Sequence, residues 1–290
     1  MSWAAHELES YVIQRHFKTK VSYPAVLLGC LAPDLLTKVH VYNIHIGPID
    51  IGAPKHPWLY HRGWPGVGFT HTLFFGLVIA ALILWMFKSR EWALGILLGT
   101  AAHVLTDMFD SVGTMVFFPF TTQHYSTGMW AYAAQQGRYG DAAAYYSSLG
   151  GVWDLFWLII AIVNYESRTR KCFLEQVAPA DPFWAWLRRK FHFSDRTLLA
   201  IYRAYFCYGG GRIFAWFLWA RLIEKAPIDF TWGGPYWVKK ATIPSEGWQT
   251  MLRNTTVGIL GFALLSWLAY RFLFKPLWRR TVPYSAPVEA

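Results

Sequence analysis

Histidine and aspartate residues interrupt apolar segments in the first 110 positions of the chain. His103 and Asp107 are four positions apart within an apolar run, so on a helix their side chains emerge on one face about one turn apart. A hydrocarbon environment penalises ionisable groups, and coordination of a metal ion by an imidazole and a carboxylate offsets that cost. A structural hydrogen bond that joins two helices explains this pair alone equally well.

A predicted helical hairpin brings a third side chain to the same level. One apolar run goes from Leu73 to Phe87, and after a short basic turn a second run goes from Trp92 to Thr106. His71 precedes the first arm and Asp107 follows the second, at similar distances from the turn. Because both arms rise 1.5 Å per residue, the two residues should lie at one level. The pattern therefore predicts that His71, His103 and Asp107 converge at one end of the hairpin.

Further candidate residues lie upstream of this hairpin. His6 falls in a predicted amphipathic first helix, and His61 falls in the segment HRGWPGVGFTHT. Asp34 follows Pro33 in GCLAPDLL, and because proline can open a helix, we expect Asp34 near a helix N-terminus. Arg62 is a candidate for holding an anionic substrate, since guanidinium groups bind phosphate and carboxylate groups well.

The composition indicates an α-helical integral membrane protein. Apolar residues make up 54% of the chain, charged residues only 15%, and 17 residues are Trp, whereas about a quarter of a soluble domain is charged. The net charge of +10 is not organised as a nucleic-acid-binding motif or a basic tail. We therefore expect no nucleic acid partner and take anionic lipid headgroups of the membrane as the partner of these charges.

About five membrane-spanning helices are predicted, which makes the fold class an all-α, polytopic helical bundle. The hairpin supplies two spans, and further apolar stretches run from Val152 to Val163, from Ala204 to Ala220 and from Thr255 to Tyr270. The fourth stretch carries Arg212 directly after Gly209–Gly211. This stretch is either broken there or packed closely against a neighbouring helix.

Two connecting segments and a boundary complete the predicted organisation. Residues Phe183–Phe193 mix bulky aromatic and basic side chains, which favours a helix lying in the membrane interface over a basic solvated loop. The segment from Phe109 to Gly151 lacks the periodicity of a long helix and predicts a folded loop over one end of the bundle. We expect a metal-binding membrane domain at residues 1–166 and an extension at 167–290 with the interfacial helix and two spans.

Four motifs occur in order between positions 5 and 120: AHELES, LAPD, HRGWPGVGFTHT and GTAAHVLTDMFDSVGTMVFFPF. Together they resemble the YdjM-like membrane-bound metal-dependent hydrolases. The chain departs from that pattern because Trp64–Gly68 are inserted between the HRG and THT elements, and because Leu36 stands where a second acid is expected. The resemblance implies these metal-site residues: His6, Asp34, His61, His71, His103 and Asp107.

The resemblance implies a hydrolase with a divalent metal. Of the divalent metals, the His and carboxylate donors favour Zn²⁺. The helical HxxxD element is also similar to part of the metal site in zinc-dependent phospholipases C. The expected substrate is a phosphoester or other ester of a lipid or lipid-linked molecule, with Asp34 or Asp107 as general base and Arg62 as anion-binding group.

Two non-hydrolytic functions compete with this prediction. One is a non-catalytic membrane scaffold or complex subunit that has a structural metal or a His/Asp cluster and binds a membrane protein partner through its C-terminal helices. The other is a transporter, although the predicted spans show no duplicated halves.

The distribution of basic residues predicts the orientation in the membrane. Basic clusters at 88–90, 168–203 and 275–280 fall on one side of five alternating spans, which the positive-inside rule makes the cytoplasmic side of a bacterial inner membrane. The metal site would then lie at the outer face. The basic residues before position 70, including Lys18 and Lys20, oppose this arrangement because they precede the first predicted span.

Overall fold

Helices dominate the computed structural model, which describes residues 2–38, 44–46, 48–51, 62, 68–131, 140–232, 267–268 and 271–272. Two short antiparallel strands, β1 (Ile44–Ile46) and β2 (Ile49–Ile51), form a hairpin. The predicted helical architecture is confirmed, and this hairpin is a small addition to it. The helices are α1 (Trp3–Phe17), α2 (Tyr23–Lys38), α3 (Leu73–Phe87), α4 (Arg90–Asp107), α5 (Gly140–Tyr145), α6 (Leu149–Val163), α7 (Arg170–Cys172), α8 (Pro182–Phe191) and α9 (Asp195–Leu218).

Shorter helical segments continue or connect these elements. The π-helical segments Phe173–Val177 and Trp219–Ile223 extend α7 and α9. Three 3₁₀-helices, at Lys18–Lys20, Gly68–His71 and Tyr165–Arg168, lie in the links between helices.

The predicted hairpin of α3 and α4 is confirmed, including its tight basic turn. Lys88 ends α3 in the left-handed conformation with a φ of 57°. Ser89 then caps α4, because its hydroxyl accepts a hydrogen bond from the backbone N–H of Trp92 at 3.3 Å. The two arms therefore run antiparallel, and the start of α3 lies next to the end of α4.

Helices α2 and α4 cross with their backbones in contact. A Cβ atom at Gly29 would lie 2.5 Å from the backbone oxygen of Ile96, and one at Gly99 would lie 2.8 Å from the backbone nitrogen of Cys30. Glycine at these positions therefore permits a separation that alanine would not. The crossing fixes the relative positions of the two helices that carry most of the candidate ligands.

The start of α2 differs from the prediction. This helix begins at Tyr23, and Pro33 lies inside it, so the prediction that Pro33 opens a helix is wrong. The expectation that Asp34 lies near a helix N-terminus is wrong as well, because Asp34 lies near the end of α2 at Lys38. Proline has no N–H to donate to the oxygen four residues earlier, here that of Gly29. The hydroxyl of Thr100 on α4 donates to that oxygen instead, at 3.4 Å. The neighbouring helix thus satisfies the backbone group that Pro33 leaves open.

Residues 109–131 form the predicted loop over one end of the helices. Backbone hydrogen bonds pair Thr114 with Tyr125 at 3.1 and 2.9 Å, and Met115 and Phe118 are buried against the start of α3. The segment up to Gly151 also contains α5 and the first residues of α6, which the sequence analysis did not predict.

The C-terminal helices pack around α1. Trp184 and Leu187 of α8 share a buried cluster with Tyr11 of α1 and Tyr202 of α9. Helix α9 continues without a break through Gly209–Gly211. Of the two predicted alternatives for this stretch, close packing is therefore the one that the structure shows.

The apolar segments of the sequence coincide with helices α3, α4, α6 and α9, and the aromatic and basic segment coincides with α8. The predicted span from Thr255 to Tyr270 lies outside the described residues except for positions 267–268. Within the part of the chain that the structure describes, no helix is both long enough and apolar enough to cross a membrane.

Candidate metal centre

Four side chains from three segments meet at the end of the α3–α4 hairpin. Asp34 comes from α2, His71 from the 3₁₀-helix that precedes α3, and His103 and Asp107 from α4. One donor atom of each residue lies within 4.8 Å of the others. All four side chains are buried, with at most 2% of each residue exposed. The convergence of the two hairpin arms is as predicted from the sequence.

The distances within this group match the edges of a metal coordination shell. His71 Nε2 lies 3.4 Å from Asp34 Oδ1 and 3.8 Å from Asp107 Oδ2. His103 Nε2 lies 3.2 Å from Asp107 Oδ2 and 3.9 Å from Asp34 Oδ1. Zinc bonds of about 2.0–2.2 Å in a tetrahedral shell place neighbouring donors about 3.4 Å apart. Two of the four observed separations lie near this value and two are about 0.5 Å longer, so the group is slightly wider than a closed tetrahedral shell.

Hydrogen bonds on the far side of each imidazole orient its Nε2 towards the group. His103 Nδ1 lies 2.6 Å from the backbone oxygen of Cys30, which can only accept, so Nδ1 carries the proton. His71 Nδ1 lies 3.1 Å from the hydroxyl of Thr70, and that hydroxyl donates to the backbone oxygen of Pro33 at 3.3 Å. Both rings therefore present the Nε2 lone pair, as metal-binding histidines do.

His6 from α1 lies beside the four residues. Its ring stacks on that of His103 with 3.9 Å between the centroids, and its Nε2 lies 3.6 Å from Asp107 Oδ1. Its Nδ1 contacts Glu9 Oε2 at 3.1 Å. Burial by itself lowers the pKa of His6, but the carboxylates of Asp107 and Glu9 outweigh burial and raise the pKa to about 9.

Arg62 lies on the other side of Asp107. Its Nη2 lies 2.8 Å from Asp107 Oδ2, and its Nη1 donates to a carboxylate oxygen of Asp110 and to the backbone oxygen of Asp107 at 3.3 Å. Arg62 is itself buried. The structure thus places this predicted anion-binding group against two carboxylates of the chain. His61 lies outside the described residues.

The charge balance of the centre suits a divalent cation. Glu9, Asp34, Asp107 and Asp110 are four buried carboxyl groups, and among the described side chains around them Arg62 is the permanent cation. Buried carboxylates need compensating charge. The donor types, their separations and this balance fit a divalent metal held by Asp34, His71, His103 and Asp107.

Sequence reasoning missed three supporting residues. Glu9 is three positions after His6 and Asp110 is three positions after Asp107, so both spacings could have indicated a shared helical face or turn. Thr70 offered no signal, because a hydroxyl next to a histidine is common in any loop. Its role depends on the backbone oxygen of Pro33, which only the fold brings near.

Fold and site together define a helical protein with a buried His and carboxylate centre at the open end of the α3–α4 hairpin. Residues 4–171 match the model of a family described as YdjM inner membrane protein. The match covers more than half of the 290 residues, and the chain therefore belongs to this family. The family's description agrees with the predicted membrane localisation. Comparisons with curated proteins and with solved structures give no match.

Proposed function

We propose that this protein is a membrane-embedded, metal-dependent hydrolase that acts on a phosphoester or other ester of a lipid or lipid-linked substrate. The observation that carries the proposal is the buried group of Asp34, His71, His103 and Asp107, whose donor atoms lie within 4.8 Å of one another. The resemblance of the motifs around these residues to membrane-bound hydrolases supports the reaction class.

Zinc is the metal that this donor set favours, because imidazole nitrogens and carboxylate oxygens are common zinc ligands. A divalent metal held there would supply Lewis-acid polarisation of the ester and activation of water for attack. The hydrogen bonds at Nδ1 of His71 and His103 orient the Nε2 lone pairs of both rings towards the carboxylates of the group, where they would be available to a metal.

The remaining roles belong to carboxylates and their neighbours. Asp107 directs Oδ2 at His71 and His103 and Oδ1 at His6, so its two oxygens serve different partners. Asp107 and Asp34 are the candidate general bases of the reaction. Arg62 holds Asp107 in place through Nη2, and in this proposal it is also the group that would bind an anionic part of the substrate.

Exposed apolar side chains support a location within a bilayer. Trp85 of α3 is 71% exposed, Val163 of α6 is 70% exposed, and Leu222 after α9 is 66% exposed. Large exposed apolar surfaces mark contacts with membranes or other proteins. Helices α3 and α6 have 15 residues each, about 22 Å at 1.5 Å per residue. A helix shorter than the hydrocarbon core is accommodated by bilayer thinning and by flanking residues that reach the interface. On this basis we include the predicted five-span bundle in the proposal.

The structure offers a way to reconcile the N-terminal basic residues with a site on the outer face. Helix α1 runs from His6 away from the metal centre, and α2 returns to it at Asp34, so the link between them lies at the opposite end. The backbone N–H of Ser22 in this link donates to Glu91 at the α3–α4 turn, at 3.2 Å. The exposed side chains of Lys18 and Lys20 in the link and of Lys88 and Arg90 at the turn therefore lie at the end opposite the centre, which the positive-inside rule would make the cytoplasmic end.

The second candidate function is a non-catalytic membrane scaffold with a structural metal. Complete burial of all four candidate ligands favours it, since catalytic zinc sites keep an open position for water or substrate and structural sites are closed. Under this function, the C-terminal helices would bind a membrane protein partner.

Hydrolysis by purified, zinc-loaded protein separates the two functions. The full chain in detergent would be tested on water-soluble phosphoesters, phospholipids and lipid-linked phosphates, beside His103→Ala and the exposed control His16→Ala. The hydrolase proposal expects turnover that disappears in His103→Ala and persists in His16→Ala. Stoichiometric zinc with no turnover of any substrate would instead favour the scaffold.

A further inference from the structure

Helix α1 presents two opposite faces to its neighbours. His6 and Glu9 lie on the face towards the metal centre, where the ring of His6 stacks on His103. With 3.6 residues per turn, Glu7 and Tyr11 lie on the other side of the helix. Residues on this second face contact α9, so α9 lies behind α1 as seen from the centre.

Two polar contacts and a close approach join α9 to this rear face. The hydroxyl of Tyr11 donates to the backbone oxygen of Tyr202 at 2.7 Å. Arg212 Nη2 lies 2.7 Å from Glu7 Oε2. A Cβ atom at Gly209 would lie 3.5 Å from Glu7 Oε2, an ordinary contact distance, so α9 runs directly beside Glu7.

The Arg212–Glu7 pair lies in partly buried, largely apolar surroundings. The side chain of Glu7 is 6% exposed and that of Arg212 is 25% exposed, and the guanidinium also lies over the ring of Tyr208 at 4.6 Å. Solvent and salt screen such a pair less than they screen a surface pair. Loss of either partner leaves the other charge poorly compensated next to α1.

From these contacts we infer that α9 supports the metal centre from behind α1 and that Arg212 is a positioning residue. Arg212 acts through Glu7, which holds α1 so that His6 lies against Asp107 and His103. This inference rests on the proposed metal-binding function. Helix α9 begins at Asp195, beyond the residues 4–171 that match the family. The inference thus assigns the C-terminal extension a role at the site.

The geometry makes the position of α1 consequential. His6 Nε2 lies 3.6 Å from Asp107 Oδ1, so a small displacement of α1 decides whether this imidazole contacts the carboxylate that would hold an ion. Glu9, which holds Nδ1 of His6, moves with the same helix. Support from behind α1 therefore acts on both residues together.

Cobalt(II) substituted into the full-length purified protein reports this effect by its visible absorption, which changes with the ligands and geometry of the ion. The variants are Arg212→Met, His6→Ala and their combination. Arg203→Met is the matched control, because Arg203 also lies on α9 but its side chain donates to the backbone oxygen of Arg168. We expect Arg212→Met to change the spectrum in the direction of His6→Ala and to weaken cobalt binding about 10-fold, the lower end for outer-shell partners. The double variant should match His6→Ala alone, Arg203→Met should match wild type, and Arg212→Lys should restore part of the wild-type spectrum.

Glu7→Gln removes the same ion pair from the side of α1 and provides a second route if Arg212→Met does not fold. A wild-type spectrum in Glu7→Gln or Arg212→Met, with a changed spectrum in His6→Ala, would overturn the role of α9 and leave the metal centre intact. A wild-type spectrum in His6→Ala would also overturn it. If wild-type protein binds no cobalt, the proposed metal function fails and this inference fails with it.

Discussion

Arg62 and two aspartates form the charged support of the candidate metal centre. The guanidinium joins Asp107, whose carboxylate belongs to the centre, to Asp110, whose Oδ1 accepts the backbone N–H groups of Val112 and Gly113 at 2.9 and 2.8 Å. These hydrogen bonds hold the Asp110 side chain in a turn. Arg62 is held by Asp110 and in turn orients the carboxylate of Asp107. We expect this support to determine how well Asp107 is oriented for an ion.

Replacement of Arg62 by methionine should weaken metal binding without abolishing it. Methionine keeps much of the side-chain volume but removes both ion pairs, so Asp107 loses the partner that orients it. The expected increase in the zinc dissociation constant is about 10- to 100-fold, as for other outer-shell partners. Competition titration with a chelating zinc indicator measures it, and Arg196→Met, which changes an exposed arginine, should bind zinc like wild type. Equal affinities for the two variants would show that Arg62 does not support the centre.

At the residue scale, the sequence predicts the side chains whose spacing follows helical geometry. The i, i+4 relation of His103 and Asp107 and the equal arm lengths that align His71 with Asp107 required only a straight antiparallel hairpin. The acceptors of the Nδ1 protons could not be predicted, because the oxygen of Cys30 is a backbone group that any residue would supply. Its alignment with His103 depends on the contact between α2 and α4.

At the element scale, the crossing of α2 and α4 is the contact that builds the centre. Asp34 lies on one of these helices and His103 on the other, and the glycines at the crossing let the helices approach closely. Pro33 belongs to the same arrangement, because the carbonyl that it leaves without a helical partner is satisfied from α4 by Thr100.

Gly99→Ala should destabilise the protein and impair metal binding. The added methyl would overlap the backbone oxygen of Val26 and lie 2.8 Å from the backbone nitrogen of Cys30. Backbone atoms cannot move aside alone, so the helices must separate, at a cost typical of overpacking, about 1–3 kcal/mol. Gly211→Ala is the matched control, because nothing lies within 4 Å of its added methyl and alanine favours helix by about 1 kcal/mol.

Thermal unfolding in detergent, followed by tryptophan fluorescence, compares these two variants. The midpoint should fall for Gly99→Ala and stay level or rise for Gly211→Ala. A midpoint for Gly99→Ala at or above that of wild type would contradict the close crossing.

Helix positions were largely predictable because long apolar runs between polar turns specify them. The segment from Leu73 to Phe87 predicted α3 to the residue. The location of Pro33 within α2 could not be predicted, because the local sequence favours a helix start at proline. The hydroxyl that compensates for the missing N–H belongs to Thr100, about 70 positions later in the chain.

At the scale of the whole molecule, the α1–α2 and α3–α4 hairpins have opposite ends that differ in charge and burial. The turns of both hairpins carry exposed lysine and arginine residues, and the opposite end holds the buried carboxylates of the centre. The pairing of α1 with α2 was not predicted from the sequence. Helix α1 carries buried polar residues such as Glu7, Glu9 and Gln14, so its pattern did not indicate a helix inside the bundle.

Single cysteines introduced at the two ends should react on opposite sides of the membrane. On a background without the native cysteines, a membrane-impermeant thiol reagent applied to intact cells should label Gln123→Cys, near the metal centre. Thr19→Cys, in the α1–α2 link, and Ser194→Cys, before α9, should be protected until the cells are opened. Labelling of the latter two with protection of Gln123→Cys would place the centre on the cytoplasmic side.

The metal content of the purified full-length protein tests the central claim most directly. Elemental mass spectrometry after zinc loading and removal of free metal should find about one tightly bound zinc ion per chain. His103→Ala should lose that ion, because it removes a nitrogen donor from the centre, whereas His16→Ala, at the exposed end of α1, should retain it. Near-zero zinc in the wild type, or equal zinc in wild type and His103→Ala, would contradict the existence of this metal centre.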